Sequence, residues 1–150
     1  MLVTMSGQNP KEILLIEDNA LDARMTRDAL KECPILIHLN VVTDGLEALE
    51  FLEGTGRYAG APRPDLILLD LNLPGKDGRE ILSEIKSDAN LRRIPVVVLS
   101  TSRATEDILK AYDLNANSYV SKPVELDPFT KAVQSIQQYW FATAKLPVSD

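Results

Sequence analysis

The chain has 150 residues, 45% of them apolar, and carries 16 basic against 22 acidic side chains for a formal net charge of -6. This is the size and composition of one domain with its own core. Its dispersed basic residues mark no nucleic-acid surface, its apolar runs fall far short of the ~20 residues that cross a bilayer, and its first residues have no charged lead into an apolar stretch.

In chain order, EILLIE (12–17) reads as a buried strand, followed by a helix with Leu21, Met25 and Ala29 on one face. Cys33, the single cysteine, can form no internal disulfide and reads as a partly buried small hydrophobe of a reducing compartment, the cytoplasm. Pro34 bars a helix from entering ILIHLNVV (35–42), which reads as a second strand with His38 facing solvent or a satisfied partner. Leu46, Leu49 and Leu52 mark a second helix, and the glycines and two prolines of EGTGRYAGAPRPD (53–65) make an exposed connection. DLILLD (65–70) is the third strand, with Ile81, Leu82 and Ile85 facing inward from the helix behind it. IPVVVLS (94–100) and the more polar NSYVS (117–121) are the fourth and fifth strands, separated by a helix carrying Ile108, Ala111 and Tyr112.

The last helix carries a seam of Leu126, Phe129, Val133, Ile136 and Trp140, running almost to the end of the chain. Tyr139, Trp140 and Phe141 are consecutive, so one helix cannot bury all three, and at least one is exposed or covered by a partner. A homodimer through this end is expected. The organisation is then a flexible segment 1–10, a domain 11–141 and a tail 142–150, with too little chain after the last helix for a DNA-binding or enzymatic output domain.

Strand and helix alternate five times, and the strands are continuously apolar rather than alternating. That pattern implies an α/β fold: a doubly wound, five-stranded parallel sheet with helices on both faces. Right-handed crossovers leave few strand orders, of which 2-1-3-4-5 is the common one at this length.

In such a sheet, functional groups gather beyond the carboxyl ends of the strands. The first strand ends in Glu17 and Asp18, the third in Asp70, the fourth in Ser100 and Thr101, and the fifth in Ser121 and Lys122. Carboxylates facing one pocket repel each other, and a hard divalent cation such as Mg²⁺ relieves the repulsion. A carboxylate beside such a cation and a lysine can act as a nucleophile toward phosphorus, with a hydroxyl donating to one phosphoryl oxygen. Taken singly, Glu17, Asp18 and Asn19 could cap a helix and Lys122 could be a solvated charge. Their shared position at the strand ends favours one site.

LLIEDN, DLILLDLNLPGKDG, VVVLST and YVSKP together resemble the receiver domain of bacterial two-component response regulators, over residues 11 to 141. The resemblance implies a flavodoxin-like fold in which Asp70 accepts a phosphoryl group from a histidine kinase. It places Mg²⁺ on Asp18, Asp70 and the Asn72 carbonyl, with Glu17 acting through water. Ser100 would contact the phosphoryl group, Lys122 would pair with it, and a cis peptide bond before Pro123 would aim Lys122 inward. Tyr119 matches the aromatic that moves between exposed and buried rotamers, so that phosphorylation remodels the surface of the fourth helix and fifth strand. Output is then binding to a downstream protein whose identity the sequence leaves open.

Thr101 departs from the small residue usual after the hydroxyl. The longer 53–65 connection, NANSYVSKP and YWFATAKLP are similar to single-domain regulators that pair with bacterial phytochrome kinases. The alternative is an aspartate-nucleophile phosphatase or phosphotransferase. Such enzymes need an acid two residues after the nucleophile, where this chain has Asn72, and an amide cannot protonate a leaving group.

Overall fold

The apolar runs become five parallel strands in a computed structural model that describes residues 10–147. These are β1 (Lys11–Ile16), β2 (Ile37–Val42), β3 (Leu66–Leu69), β4 (Val96–Ser100) and β5 (Ser118–Ser121), in the expected order β2-β1-β3-β4-β5. The helices are α1 (Ala20–Lys31), α2 (Gly45–Glu53), α3 (Gly78–Ser87), α4 (Thr105–Asp113) and α5 (Leu126–Gln138). Of the segments expected to be loose, residues 1–9 and 148–150 lie outside the described residues.

The pleat divides each central strand between two cores. Leu14, Ile16, Ile67, Leu69, Val96 and Val98 face Ala48, Phe51, Ile81, Ile85 and Ala111 of α2, α3 and α4. Ile13, Leu15, Leu66, Leu68, Val97 and Leu99 face Ala29, Leu30, Phe129, Val133 and Ile136 of α1 and α5. With both faces covered, all four residues of β3 are buried, and this is why the central strands read as unbroken apolar runs.

Helix starts follow their caps. Asn19 Oδ1 accepts from the Asp22 amide, Asp44 caps α2 through the Glu47 amide, and Asp77 with Glu80 forms a capping box on α3. Gly54 ends α2 with φ 68, a left-handed conformation suited to glycine. The 53–65 connection contains one 3₁₀ turn, Gly56–Tyr58, whose Tyr58 packs edge-on against Phe51 at 5.2 Å between ring centres.

Several expected helix faces are corrected. Leu21 and Leu46 are 64% exposed, Leu126 57% and Tyr112 46%. In α2 the fully buried positions are Gly45, Ala48 and Phe51; Leu49 and Leu52 are partly buried against the same core, and Leu46 alone of the three leucines turns to solvent. In α1 the inward positions are Thr26, Ala29 and Leu30, and Thr26 satisfies its hydroxyl by donating to the Asp22 carbonyl at 2.8 Å.

The last helix stops sooner than its seam suggests. α5 ends at Gln138 and continues as a π turn over Tyr139–Thr143, closed by the Ala144 amide on the Tyr139 carbonyl at 2.7 Å. Trp140 and Phe141 pack against the α1/α5 core, while Tyr139 is 53% exposed and meets Trp140 edge-on. One exposed aromatic of the three is what the sequence requires. His38 is exposed and its Nδ1 lies 2.8 Å from Glu12 Oε1, and Cys33 is half-buried against the Ala29 carbonyl.

Candidate functional site

Register brings the functional groups level. Ile16 pairs with Leu69 and Leu69 with Val98, while Ser100 pairs with Ser121. The next residues, Glu17, Asp70 and Lys122, therefore leave the sheet at one edge. The backbone fixes each of them: the Glu17 amide donates to Val42 O at 2.9 Å, the Asp70 amide to Ile16 O at 3.0 Å and the Lys122 amide to Ser100 O at 2.7 Å.

The centre of the site is the Lys122 ammonium, buried and in contact with three carboxylates. Its Nζ donates to Glu17 Oε1 at 2.6 Å, Asp22 Oδ2 at 2.9 Å and Asp70 Oδ2 at 3.2 Å. The other oxygen of Asp70 accepts the Asn72 amide at 3.0 Å. Asp70 is thus held at both oxygens, at 7% exposure. Burial pushes the Glu17 carboxyl up to about 7, and the hydrogen bond with Asp70 adds to the rise against the pull of Lys122. Burial alone would lower Lys122, but Glu17, Asp22 and Asp70 outweigh it and hold the ammonium above the ordinary lysine range.

Glu17, exposed Asp18 and Asp70 each place a carboxylate oxygen within 4.8 Å of the others. An all-oxygen, acidic set at this spacing fits a hard divalent cation. Glu17 is 2% exposed, so it can take part only from inside the pocket.

Ser100 is fully buried at the end of β4, and its Oγ accepts the Ser102 amide at 3.2 Å. Tyr119 is half-buried, its hydroxyl donating to the Ser102 carbonyl at 2.9 Å and its amide to the Tyr112 hydroxyl at 3.2 Å. Asn72 lies exposed just beyond Asp70, and Thr101 is exposed. The expected cis bond at Pro123 is corrected, since no cis peptide occurs among the described residues. The trans form is the intrinsic preference by about 0.5–1 kcal/mol, and Lys122 is already aimed inward by the β4 ladder and its carboxylate partners.

Asp22 is the residue that strand-end reasoning misses, because it enters from the first turn of α1. It follows the N-cap Asn19 by three residues, which on sequence alone marks only a carboxylate in the first turn of a helix. A second network is also absent from the sequence reading. Arg79 of α3 bonds Asp107 of α4 at 2.9 Å, and the other oxygen of Asp107 accepts the Ser102 hydroxyl.

The family model of the response regulator receiver domain matches residues 13–134. The response regulator Rcp1 of Synechocystis sp. is 48% identical over 140 residues, covering 93% of this chain and 95% of the relative. The probable methanogenesis regulatory protein FilR2 of Methanothrix harundinacea is 38% identical over 146 residues, 95% and 92% of the two chains. Among solved structures, the phosphorylated cyanobacterial phytochrome response regulator RcpA superposes with a TM-score of 0.90 at 50% identity, over 93% of this chain and 100% of the other. The Mn²⁺-bound form of Rcp1 gives 0.89 at 48% identity, with the same coverage.

Proposed function

This chain belongs to the response regulator receiver domain family, and on that premise we propose that Asp70 accepts a phosphoryl group from a histidine kinase. The observation that carries this reading is the grip on Asp70: Asn72 N–H on one oxygen, Lys122 on the other, and the Glu17 and Asp18 carboxylates alongside. In the reaction a carboxylate oxygen of Asp70 attacks phosphorus, a P–O bond forms, and the bond from phosphorus to the donor imidazole breaks. Lys122 supplies positive charge to the phosphoryl oxygens, and the Ser100 hydroxyl donates to another.

The cation we assign is Mg²⁺, which Asp18, Asp70 and the Asn72 carbonyl would hold, with Glu17 acting through water. When bound, it neutralises charge on the transferred group. The Mn²⁺-bound form of Rcp1 supports a divalent ion in this family. Any catalysis by the chain itself is limited to phosphorylation from small donors and loss of its own phosphate.

The donor is assigned to a phytochrome kinase, on the strength of RcpA and of the bacteriophytochrome response regulator AtBRR, which superposes at 39% identity. No helix among the described residues is long and apolar enough to cross a membrane, in keeping with a cytoplasmic reading. Output runs through protein contact, with Tyr119 as the moving group, and exposed Tyr139 is the anchor assigned to a homodimer. Truncation after Gln138 should weaken the dimer, and an unchanged sedimentation coefficient at micromolar concentration counts against it.

Incubation with Mg²⁺ and a labelled small phosphodonor should label the wild type on Asp70. Undiminished labelling of Asp70→Asn overturns the assignment, and multiple turnover on phosphate monoesters favours a phosphatase instead.

A further inference from the structure

Every N–H of the Lys122 ammonium is engaged by a carboxylate, on Glu17, Asp22 and Asp70. A lysine has three donors, so in this arrangement none is left for a phosphoryl oxygen. Two of the partners, Glu17 and Asp70, belong to the acidic set that fits a cation. Asp22 does not; its carboxylate is 24% exposed and its backbone is pinned at the start of α1 by Asn19.

We propose that Asp22 is a positioning residue that holds one of the three Lys122 N–H groups in competition with Glu17 and Asp70, favouring entry of the cation and opposing capture of the phosphoryl group. This rests on the phosphoacceptor reading. The two effects share one cause but have opposite signs. Without the Asp22 charge the ammonium turns wholly to Glu17 and Asp70, where it competes with a divalent cation, and the pocket also loses one negative charge that attracts such a cation. Once the cation is in place, the same loss removes a competitor for Lys122 and a repulsion against an anionic phosphoryl group. Asp22 stands outside the acidic set that fits the cation, so its influence runs through its bond to Lys122 and through its charge.

The test compares wild type, Asp22→Asn and Asp22→Glu, each first shown to fold by thermal unfolding. Mg²⁺ affinity is read alone, and beryllofluoride affinity at saturating Mg²⁺. For a partly exposed charge pair, a change of about two- to fivefold is expected in each. Asp22→Asn should bind Mg²⁺ more weakly and beryllofluoride more tightly, and Asp22→Glu, which keeps the charge, should return both toward wild type. A structural role would weaken both ligands together, and that result overturns the proposal, as does no change in either. Should Asp22→Asn not fold, Asp22→Ser is read in its place with the same expectations. Wild type that takes up no beryllofluoride overturns the phosphoacceptor reading and this inference with it. Wild type that binds it while the variants fail to show opposite shifts overturns only the role of Asp22.

Discussion

Gly78 sits against the backbone of Asp70 so closely that a Cβ on it would lie 2.6 Å from the Asp70 carbonyl oxygen and 2.6 Å from Leu71 Cα. Its own amide donates to the Leu71 carbonyl at 3.2 Å, so the start of α3 is fastened to the chain just behind the acceptor. The obstructing atoms are backbone and cannot turn aside as a flexible side chain would. Gly78→Ala should therefore cost about 1–3 kcal/mol of stability, read by urea unfolding. It should also slow labelling of Asp70 by moving it relative to Lys122. A variant within 0.5 kcal/mol of wild type with normal labelling would show that the loop yields without strain.

Arg79 and Asp107 join α3 to α4, and the same Asp107 holds the Ser102 hydroxyl. Ser102 in turn donates its amide to Ser100 Oγ and accepts the Tyr119 hydroxyl on its carbonyl. One residue thus connects the hydroxyl beside the acceptor, the aromatic of the β5 surface and an interhelical ion pair. The hydrogen bond from Ser102, followed by that from Arg79, keeps the Asp107 carboxyl below its ordinary range. Asp107→Asn should loosen the segment after β4, so that the Ser102 and Ala104 amides exchange with deuterium about two- to tenfold faster while the β3 amides are unaffected. Equal rates in both proteins would place the stiffness of this segment elsewhere.

The fold and the acceptor were legible because local pattern and tertiary position agree. β3 is buried on both faces, so LILL is unbroken, and the first polar residue after it must lie at the sheet edge, which is where Asp70 is. Lys122 was legible from its place at the end of the fifth strand, although β5 is a polar, half-buried edge strand. Asp22 was not, because nothing in ALDARMTRD distinguishes a carboxylate drawn toward a distant ammonium from a residue stabilising the first turn of a helix. Lys122 is 100 positions away in sequence. The inward face of α2 was only partly legible: Leu49 and Leu52 do pack on the core, but the deepest positions are Gly45, Ala48 and Phe51, of which hydropathy marks the first two weakly, and Leu46 faces solvent. The π turn over Tyr139–Thr143, which seats Trp140 and Phe141 on the α1/α5 core, leaves no mark in a periodicity of three and four.

Lys86 makes a prediction far from the site. Its ammonium donates to two neutral acceptors, the carbonyls of Arg92 at 3.0 Å and Ile94 at 2.8 Å, and burial pushes it down to about 8 from 10.5. Below pH 8 it is charged in both folded and unfolded chains. Between pH 8 and 10.5 the unfolded chain binds the proton that the folded chain has released, so stability from this group rises with pH across that window. Lys86→Gln keeps a donor and removes the titration. The stability of wild type relative to Lys86→Gln should therefore increase from pH 8 to 10, read from urea midpoints at matched ionic strength. A difference that stays flat, or an NMR titration placing Lys86 near 10.5, would mean that the two carbonyl hydrogen bonds fully offset the burial of the charge.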